Sequence, residues 1–447
     1  MNVILLSGGS GKRLWPLSND IRSRQFIRIF KKKESGVSMG TEVSDYESMA
    51  QRVYRQIKTV DPDAIVTIAT TNAQVAAIHN QLGEDVVISA EPCGRDTFPA
   101  IALAAAYLHE VKQVSLNEAV VVCPVDTYVD DNYFECINGM YEAAREGENN
   151  LVLMGIEPTY PSEKYGYIIP ITDDGINYYF GFYEKPTAEE AQKFIEAGAL
   201  WNGGVFAFCL SYVLDKAGEL LGGSSYSWLL ENYEKLPSIS FDYAIVELEK
   251  HLDVLRYSGT WKDLGTWNTL TEAMEENVVG DARMSSDCKN VHIINELGVP
   301  ILGLGLHDLV ISASPEGILV SDKEQSSYMR PYVDAINQRV MFSEKSWGSY
   351  RVLDVGTDSL TIKVTLNPGH RMNYHSHEKR DEVWTVIQGT GRTVIDGREQ
   401  PIKPGDVVKM AVGCKHTVIA EDEGLQLIEV QLGSDITVED KKIFKDI

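Results

Sequence analysis

Short apolar runs recur along the first third of the chain, at Val3–Leu6, Ile65–Ala69, Val86–Ile88, Ala119–Cys123 and Leu151–Met154. Each is bounded by polar or turn-forming residues, the pattern of a buried strand. Between them the period lengthens. Val75, Ile78 and Leu82 recur at helical spacing, and Pro99 opens an alanine-rich stretch that predicts a helix capped by Asp96 or Thr97. Strands alternating with helices predict an α/β, Rossmann-like domain on a mostly parallel, mixed sheet. Ligands of such sheets sit beyond the carboxyl ends of the strands, where Gly8–Arg13 and Asp126 both fall.

The pattern then changes. From about 150 to 275 aromatics and hairpin signals become more frequent. Residues 286–330 are short β-like runs broken by glycine (Val291–Ile294, Ile301–Gly303, Leu309–Ser312, Ile318–Val320), and a helical link is expected near Pro331–Gln338. Beyond it, turn signals at Asn367-Pro368-Gly369, Asp396-Gly397 and Pro404-Gly405-Asp406 punctuate a strand-rich stretch that predicts an all-β domain. The expected domains are therefore 1–280, a β connector and link over 281–338, and 339–447. No internal repeat or low-complexity segment stands out.

Composition narrows the classes. A chain of 447 residues is too long for one hydrophobic core, and its 44% hydrophobic and 24% charged content is that of a soluble globular protein. A net charge of −24 argues against nucleic acid or an anionic membrane as the main partner. An anionic substrate must meet a local basic site. No apolar run approaches a membrane span, and the N-terminus enters a strand without the basic region of a signal peptide. The six cysteines form no CxxC pair and are expected as reduced thiols in a cytoplasm.

The chemistry concentrates first at Leu6-Ser7-Gly8-Gly9-Ser10-Gly11-Lys12-Arg13-Leu14-Trp15-Pro16. Gly8, Gly9 and Gly11 let the backbone turn tightly and expose its N–H groups, and such a nest of amides binds phosphate oxygens. Lys12 and Arg13 add charge where a triphosphate would sit. A Walker A loop does not fit, because Arg13 stands where Ser or Thr should follow Lys. The glycine spacing of a dinucleotide fingerprint is absent too. Taken alone, the glycines are equally a plain turn.

The full string resembles the opening of the sugar-1-phosphate nucleotidyltransferases. Within them it resembles the bacterial mannose-1-phosphate guanylyltransferases fused to a C-terminal mannose-6-phosphate isomerase domain. Further motifs of that family follow in order: Glu91-Pro92-Cys93-Gly94-Arg95-Asp96-Thr97, Pro99–Ala105, Tyr165-Gly166-Tyr167-Ile168, Tyr183-Glu184-Lys185-Pro186, Trp201–Phe206, Asp242-Tyr243-Ala244 and Trp261–Trp267. The resemblance implies transfer of a nucleotidyl group from GTP to mannose 1-phosphate, giving GDP-mannose and pyrophosphate. It gives Gly8, Gly9, Gly11, Lys12, Arg13, Glu91 and Gly94 to the nucleotide, and Gly166, Glu184 and Asn202 to the sugar. Lys185 would bind the sugar phosphate, and Arg24 would replace a family lysine. Asp126 and Asp263 would meet at one Mg²⁺. No residue need act as a base, because a sugar phosphate is already an anion. Departures fall at Ser23-Arg24 for Pro-Lys, at Asp96 for Asn and at Thr127 for His. Taken singly, Asp126 or Asp263 is more often a loop cap or turn residue, and Asn202-Gly203-Gly204 would be a hairpin turn.

The last domain carries Gly369, His375, His377, Glu382 and Gly389, spaced G-x5-H-x-H-x4-E-x6-G, and then Gly405, Gly413 and His416. These resemble the two cupin motifs, so the C-terminal domain is expected to be a cupin barrel. On a strand, His375 and His377 would share a face. Three imidazoles and a carboxylate suit Zn²⁺ or another divalent transition metal. A metal-free cupin whose histidines line a polar cavity is the alternative. The resemblance implies a mannose-6-phosphate isomerase, with Arg380 as candidate phosphate anchor and no residue identified as the base.

The leading expectation is thus a bifunctional enzyme acting on a nucleoside triphosphate and sugar phosphates. Whether it forms a homo-oligomer is left open. Two alternatives stand beside it. One is a nucleotidyltransferase of the same fold using another sugar phosphate or base, for example CTP. The other is a non-catalytic nucleotide-binding regulator.

Overall fold

The computed structural model describes residues 1–9, 12–19, 21–32, 45–147, 149–173, 176–337, 339–437 and 440–444, with backbone alone at 171–173 and 176–180. The chain forms two compact units. One comprises Met1–Gly9, Glu47–Val75 and Asp85–Gly265, the other Ser10–Tyr46, Ala76–Glu84 and Thr266–Ile447.

The first unit is organised by a nine-stranded sheet. Seven of its strands run in the order Ile176–Glu184, Gly166–Asp173, Leu200–Cys209, Ala119–Pro124, Asn2–Leu6, Ile65–Thr71, Val87–Glu91; of the other two, Leu151–Ile156 pairs with Leu200–Cys209, and Leu252–Tyr257 pairs with Leu151–Ile156. Asn2–Leu6 lies parallel to both of its neighbours, and Ile65–Thr71 lies parallel to Val87–Glu91. These strands are apolar and covered on both faces, as parallel strands flanked by helices must be. Leu200–Cys209 reverses direction against Ala119–Pro124 and Leu151–Ile156, so the sheet is mixed. The expected strands are all present, and several run one or two residues longer than their apolar cores. The helix Thr97–Glu110 is capped by Asp96, whose Oδ1 accepts from Thr97 N at 2.7 Å. Ala104, Ala105 and Ala106 are fully buried, because their small side chains let this helix lie close against the sheet on one side and a neighbouring helix on the other.

In the second unit a four-stranded sheet runs Val278–Gly280, His292–Asn295, Leu309–Ser314, Gly317–Asp322, beside a parallel pair Ala282–Met284 and Ile301–Gly303. This is the β connector, and its core is Val291, Ile293 and Ile311. The expected helical link is the short helix Arg330–Asp334; its far end at Gln338 lies outside the described residues. A nine-stranded antiparallel sheet follows, with the strands Asp381–Ile395 and His416–Leu432 paired along most of their length. Ser359–Leu366 alternates half-buried and buried residues, the period-two pattern of a barrel wall. Trp384, Val364, Leu425 and Leu427 fill the interior. This is the β-rich cupin fold. Among the described residues no helix is long and apolar enough to cross a membrane.

Candidate active site

In the first unit, side chains gather where the parallel strands end. Asn2–Leu6 leads into Ser7, whose N–H donates to Ala69 O at 2.8 Å, and then into exposed Gly8 and Gly9. Gly9 has φ +112°, a conformation that resists any residue with a Cβ. Gly11 lies outside the described residues. Val125 N donates to Leu6 O at 3.1 Å, which ties the end of the neighbouring strand to the glycine turn and sets Asp126 beside it.

Asp126 then opens a small ribbon. Thr127–Val129 pairs antiparallel with Trp261–Asp263, and Asp263 stands opposite Thr127. Asp263, 137 positions further along (263 − 126), is thus paired with the residue that follows Asp126. Both aspartates are half-buried. Hard carboxylate oxygens of this kind suit Mg²⁺, which takes one or two carboxylates and leaves its other positions to water and phosphate.

Glu184 and Lys185 end the strand Ile176–Glu184. Lys185 Nζ donates to Glu184 Oε1 at 2.8 Å, and Glu184 is in register with buried Gly166. Lys185 is exposed and left-handed, with φ +51°. A long side chain holds that conformation at a cost of about 1–3 kcal/mol, a strain that clusters at functional sites. Asn202 Nδ2 donates to Asp242 Oδ1 at 2.6 Å, while Gly204 N donates to Asn202 Oδ1 at 3.1 Å. Burial, with Glu184 as a like charge, pushes the Asp242 carboxyl up to about 6.

Glu91 closes the strand Val87–Glu91 and is buried. It accepts from Tyr233 Oη at 2.7 Å, and burial raises its carboxyl against that bond. Gly94 lies exposed in the loop before the alanine-rich helix. Beneath these motifs sits an aromatic cluster. Tyr165 meets Trp201 and Trp261 edge-on with centroids 5.0 and 5.2 Å apart, and Tyr160 meets Trp201 at 5.1 Å. The three segments that carry Gly166, Asn202 and Asp263 therefore share one packed base.

Sequence reasoning gives Asp242 no role and does not single out Tyr233. Asp242 lies inside one of the family motifs, so a signal is there. Tyr233 sits in a short helical stretch with nothing to separate it from other tyrosines.

The second unit holds Lys12, Arg13 and Arg24. Lys12 and Arg13 lie on a single turn, Lys12–Leu14, with Lys12 Nζ 3.7 Å from Asp334 Oδ1 and Arg13 exposed. Arg24 begins the turn Arg24–Phe26 and is half-buried.

The same unit contains the cupin cluster. His375, His377, Glu382 and His416 are buried, and their ligand atoms lie within 4.8 Å of one another. The strand is shorter than expected, His375–Ser376, with His377 just past its end; His375 pairs in register with His416. His375 Nδ1 lies 2.6 Å from Asn373 O, His416 Nδ1 lies 3.0 Å from Cys414 O, and His377 Nδ1 meets Asp440 O. With N–H on Nδ1 against a carbonyl, each Nε2 keeps its lone pair for a metal. Glu382 Oε2 and His416 Nε2 are buried, 3.1 Å apart, and neither has a hydrogen-bond partner among the described residues. Burial opposes ionisation of Glu382, but His377 and His416 outweigh it and hold the carboxyl well below its usual range. Burial drives His375 down to about 2, so it stays neutral. The donor set fits a divalent transition metal.

A cavity of about 610 Å³ adjoins the cluster, with His375, Glu382 and Arg380 in its wall. Arg380 lines it as expected, but its guanidinium is buried and engaged: Nε donates to Glu382 Oε1 at 3.0 Å, Nη1 to Thr437 O at 2.9 Å, and Nη2 lies 3.2 Å from His377 Nε2. Arg339, Lys345 and Lys441 are further cations in the wall. Glu429 stands there too, pushed up to about 8 by burial and by Glu382.

Comparison with known proteins identifies the family. The nucleotidyl transferase family model matches residues 2–278, and the mannose-6-phosphate isomerase C-terminal model matches residues 335–446. A putative mannose-1-phosphate guanylyltransferase of Vibrio cholerae serotype O1 is 27% identical, over 99% of each chain. The xanthan biosynthesis protein XanB of Xanthomonas campestris pv. campestris is also 27% identical, over 99% of this chain and 98% of its own. A crystal structure of a mannose-1-phosphate geranyltransferase from Thermus thermophilus superposes with a TM-score of 0.60 at 28% identity, covering 74% of this chain and 98% of that one. A family model that spans more than half the chain, and a sheet whose strand ends carry the motifs that define it, lead to one conclusion: the chain belongs to the nucleotidyl transferase family.

Proposed function

We propose that this protein transfers a guanylyl group from GTP to mannose 1-phosphate, and that its cupin domain is a metal-dependent mannose-6-phosphate isomerase. The observation that carries the first activity is the Thr127–Val129/Trp261–Asp263 ribbon, which pairs Asp263 with the residue after Asp126, close to where that strand is tied to the glycine turn. Full-length relatives named for mannose 1-phosphate support the substrate, and the retained aspartates speak against a non-catalytic regulator.

A phosphate oxygen of the sugar phosphate attacks the α-phosphorus of the nucleotide. One O–P bond forms, the bond to the β-phosphate oxygen breaks, and pyrophosphate leaves with that electron pair. The task of the chain is to neutralise charge and hold the attack in line. Mg²⁺ at Asp126 and Asp263 would supply the Lewis-acid charge. Gly8, Gly9, Gly11 and Gly94 give room and amides to the nucleotide, and Lys12, Arg13 and Arg24 give it cations. Lys185 takes the sugar phosphate, held by its bond to Glu184. Gly166, Glu184 and Asn202 take the sugar, with Asp242 fixing the Asn202 amide. Glu91 takes the guanine N1–H and N2 amino donors, oriented by Tyr233.

In the cupin domain His375, His377, Glu382 and His416 would hold Zn²⁺ or another divalent transition metal, which would supply Lewis-acid polarisation of a substrate carbonyl. Because Arg380 is spent on Glu382, Thr437 and His377, we assign phosphate anchoring to Lys345 and Lys441 and give Arg380 the task of orienting Glu382. The domains assigned to these activities are 1–280 and 339–447, joined by 281–338.

Asp126→Asn and Asp263→Asn test the transfer site. Each should lower pyrophosphate release by about two orders of magnitude or more, while circular dichroism stays that of the wild type. Near-normal Mg²⁺-dependent turnover in either variant would sink the assignment.

A further inference from the structure

The segment Trp15–Arg22 runs between Arg13 and Arg24, and it carries little of the motif chemistry. Its described residues are nonetheless gripped by Trp267, the connector and the first cupin strand, all within the second unit. Trp267 Nε1 donates to Trp15 O at 3.1 Å, and Ser314 Oγ donates to Pro16 O at 2.5 Å. The Trp15 ring covers Gly317, where a Cβ would come within 2.5 Å of it. Arg22 makes a two-pronged pair with Glu296, at 2.8 and 2.9 Å.

The centre of the grip is a buried carboxylate. Glu316 Oε1 accepts from Asn19 Nδ2 at 2.8 Å, from Met341 N at 2.9 Å and from Phe342 N at 3.0 Å. Asn19 is itself buried and passes the constraint on. Its Oδ1 accepts from Ile21 N at 2.8 Å and from Arg22 N at 2.6 Å, which fixes the turn that leads into Arg24. Ile21, in the middle of that turn, also lines the cupin cavity. A carboxylate is an expensive group to bury, and one that accepts from three N–H donors fixes each of them in direction. A hydrophobic side chain would have packed the connector without specifying the path of this loop.

We propose that Glu316 is a positioning residue for nucleotidyl transfer: through Asn19 it sets the segment that separates Arg13 from Arg24. The inference rests on the proposed transfer reaction for its readout in turnover, and on nucleotide binding for a readout that does not need turnover. A merely structural Glu316 would lower thermal stability and leave the KM for GTP unchanged.

Three variants of the full chain separate these cases. Asn19→Ala cuts the link to the loop but leaves Glu316 bonded to Met341 N and Phe342 N. Glu316→Ala removes the centre. Glu316→Gln keeps an acceptor oxygen at the same place. Each is assayed for KM and kcat with GTP and for equilibrium binding of GTP, with bound transition metal per chain and circular dichroism as controls on folding. We expect Asn19→Ala and Glu316→Ala to raise the KM and the dissociation constant for GTP about tenfold, since a misplacement of an ångström costs that much or more. Glu316→Gln should return to within about threefold of the wild type, because the three donors keep an acceptor. Folded Asn19→Ala protein with unchanged GTP binding and KM overturns the proposal. So does a Glu316→Gln variant as impaired as Glu316→Ala. A wild-type protein that transfers no nucleotide at all refutes the transfer reaction instead, and GTP binding then still decides the role of Glu316.

Discussion

Asp242 is the residue whose environment says most about how the proposed sugar side of the site is built. It accepts from Asn202, lies near Glu184, and burial pushes its carboxyl up to about 6 from an ordinary 3.8. A carboxyl raised on folding contributes stability that is complete below pH 3.8 and lost as the pH rises through 6. Asp242→Asn keeps an acceptor for the Asn202 amide and removes the ionisation. The variant should therefore gain on the order of 3 kcal/mol over the wild type at pH 8 and little at pH 4. Thermal melts at the two pH values check this, and an equal shift at both would show that ionisation plays no part. Glu91 is legible in the sequence as a candidate for the base, but its orientation is not. Only the fold brings Tyr233, from far along the chain, within 2.7 Å of it. If Glu91 reads guanine, Glu91→Gln should weaken use of GTP by about tenfold or more and other nucleotides far less. Competing-nucleotide assays decide this, and equal losses for all nucleotides would remove Glu91 from the base.

At the scale of elements, the parallel strands are readable because their cores are short apolar runs between turn-formers, and the glycine turn because its residue types admit few other readings. The ribbon is not. Thr127–Val129 and Trp261–Asp263 are three residues each, too short for any period, and their pairing depends on contacts across more than 130 positions (261 − 129 = 132). The aromatic base of Tyr160, Tyr165, Trp201 and Trp261 is hidden for the same reason. It joins three motif segments, so Trp261→Ala should cost about 3–5 kcal/mol through the lost packing and lower turnover by tilting Asp263. Denaturant melts and pyrophosphate release measured together check both halves. A destabilised variant with unchanged turnover would confine the cluster to stability. The clustering of His375, His377, Glu382 and His416, by contrast, is legible, because rare residue types stand there at fixed spacings. What the spacing does not reveal is that Arg380 is drawn into the ligand cluster, a consequence of burial beside Glu382.

At the scale of the whole molecule, the two proposed chemistries draw on different residues. His377→Ala should abolish transition-metal binding, measured by elemental analysis of the purified protein, and isomerase activity with it, while nucleotidyl transfer stays near wild type. Loss of transfer in a folded His377→Ala protein would mean that the two sites are not independent. The central claim is the identity of the transferred group and its acceptor. It is tested most directly by offering the purified protein GTP, CTP, UTP, ATP and dTTP, each with mannose 1-phosphate and Mg²⁺, and measuring pyrophosphate release. The account predicts that GTP is used at least about a hundredfold more efficiently than any of the others, as expected of a pocket that hydrogen-bonds a particular base. Preference for CTP or another nucleotide, or no release with any of the five, would contradict it.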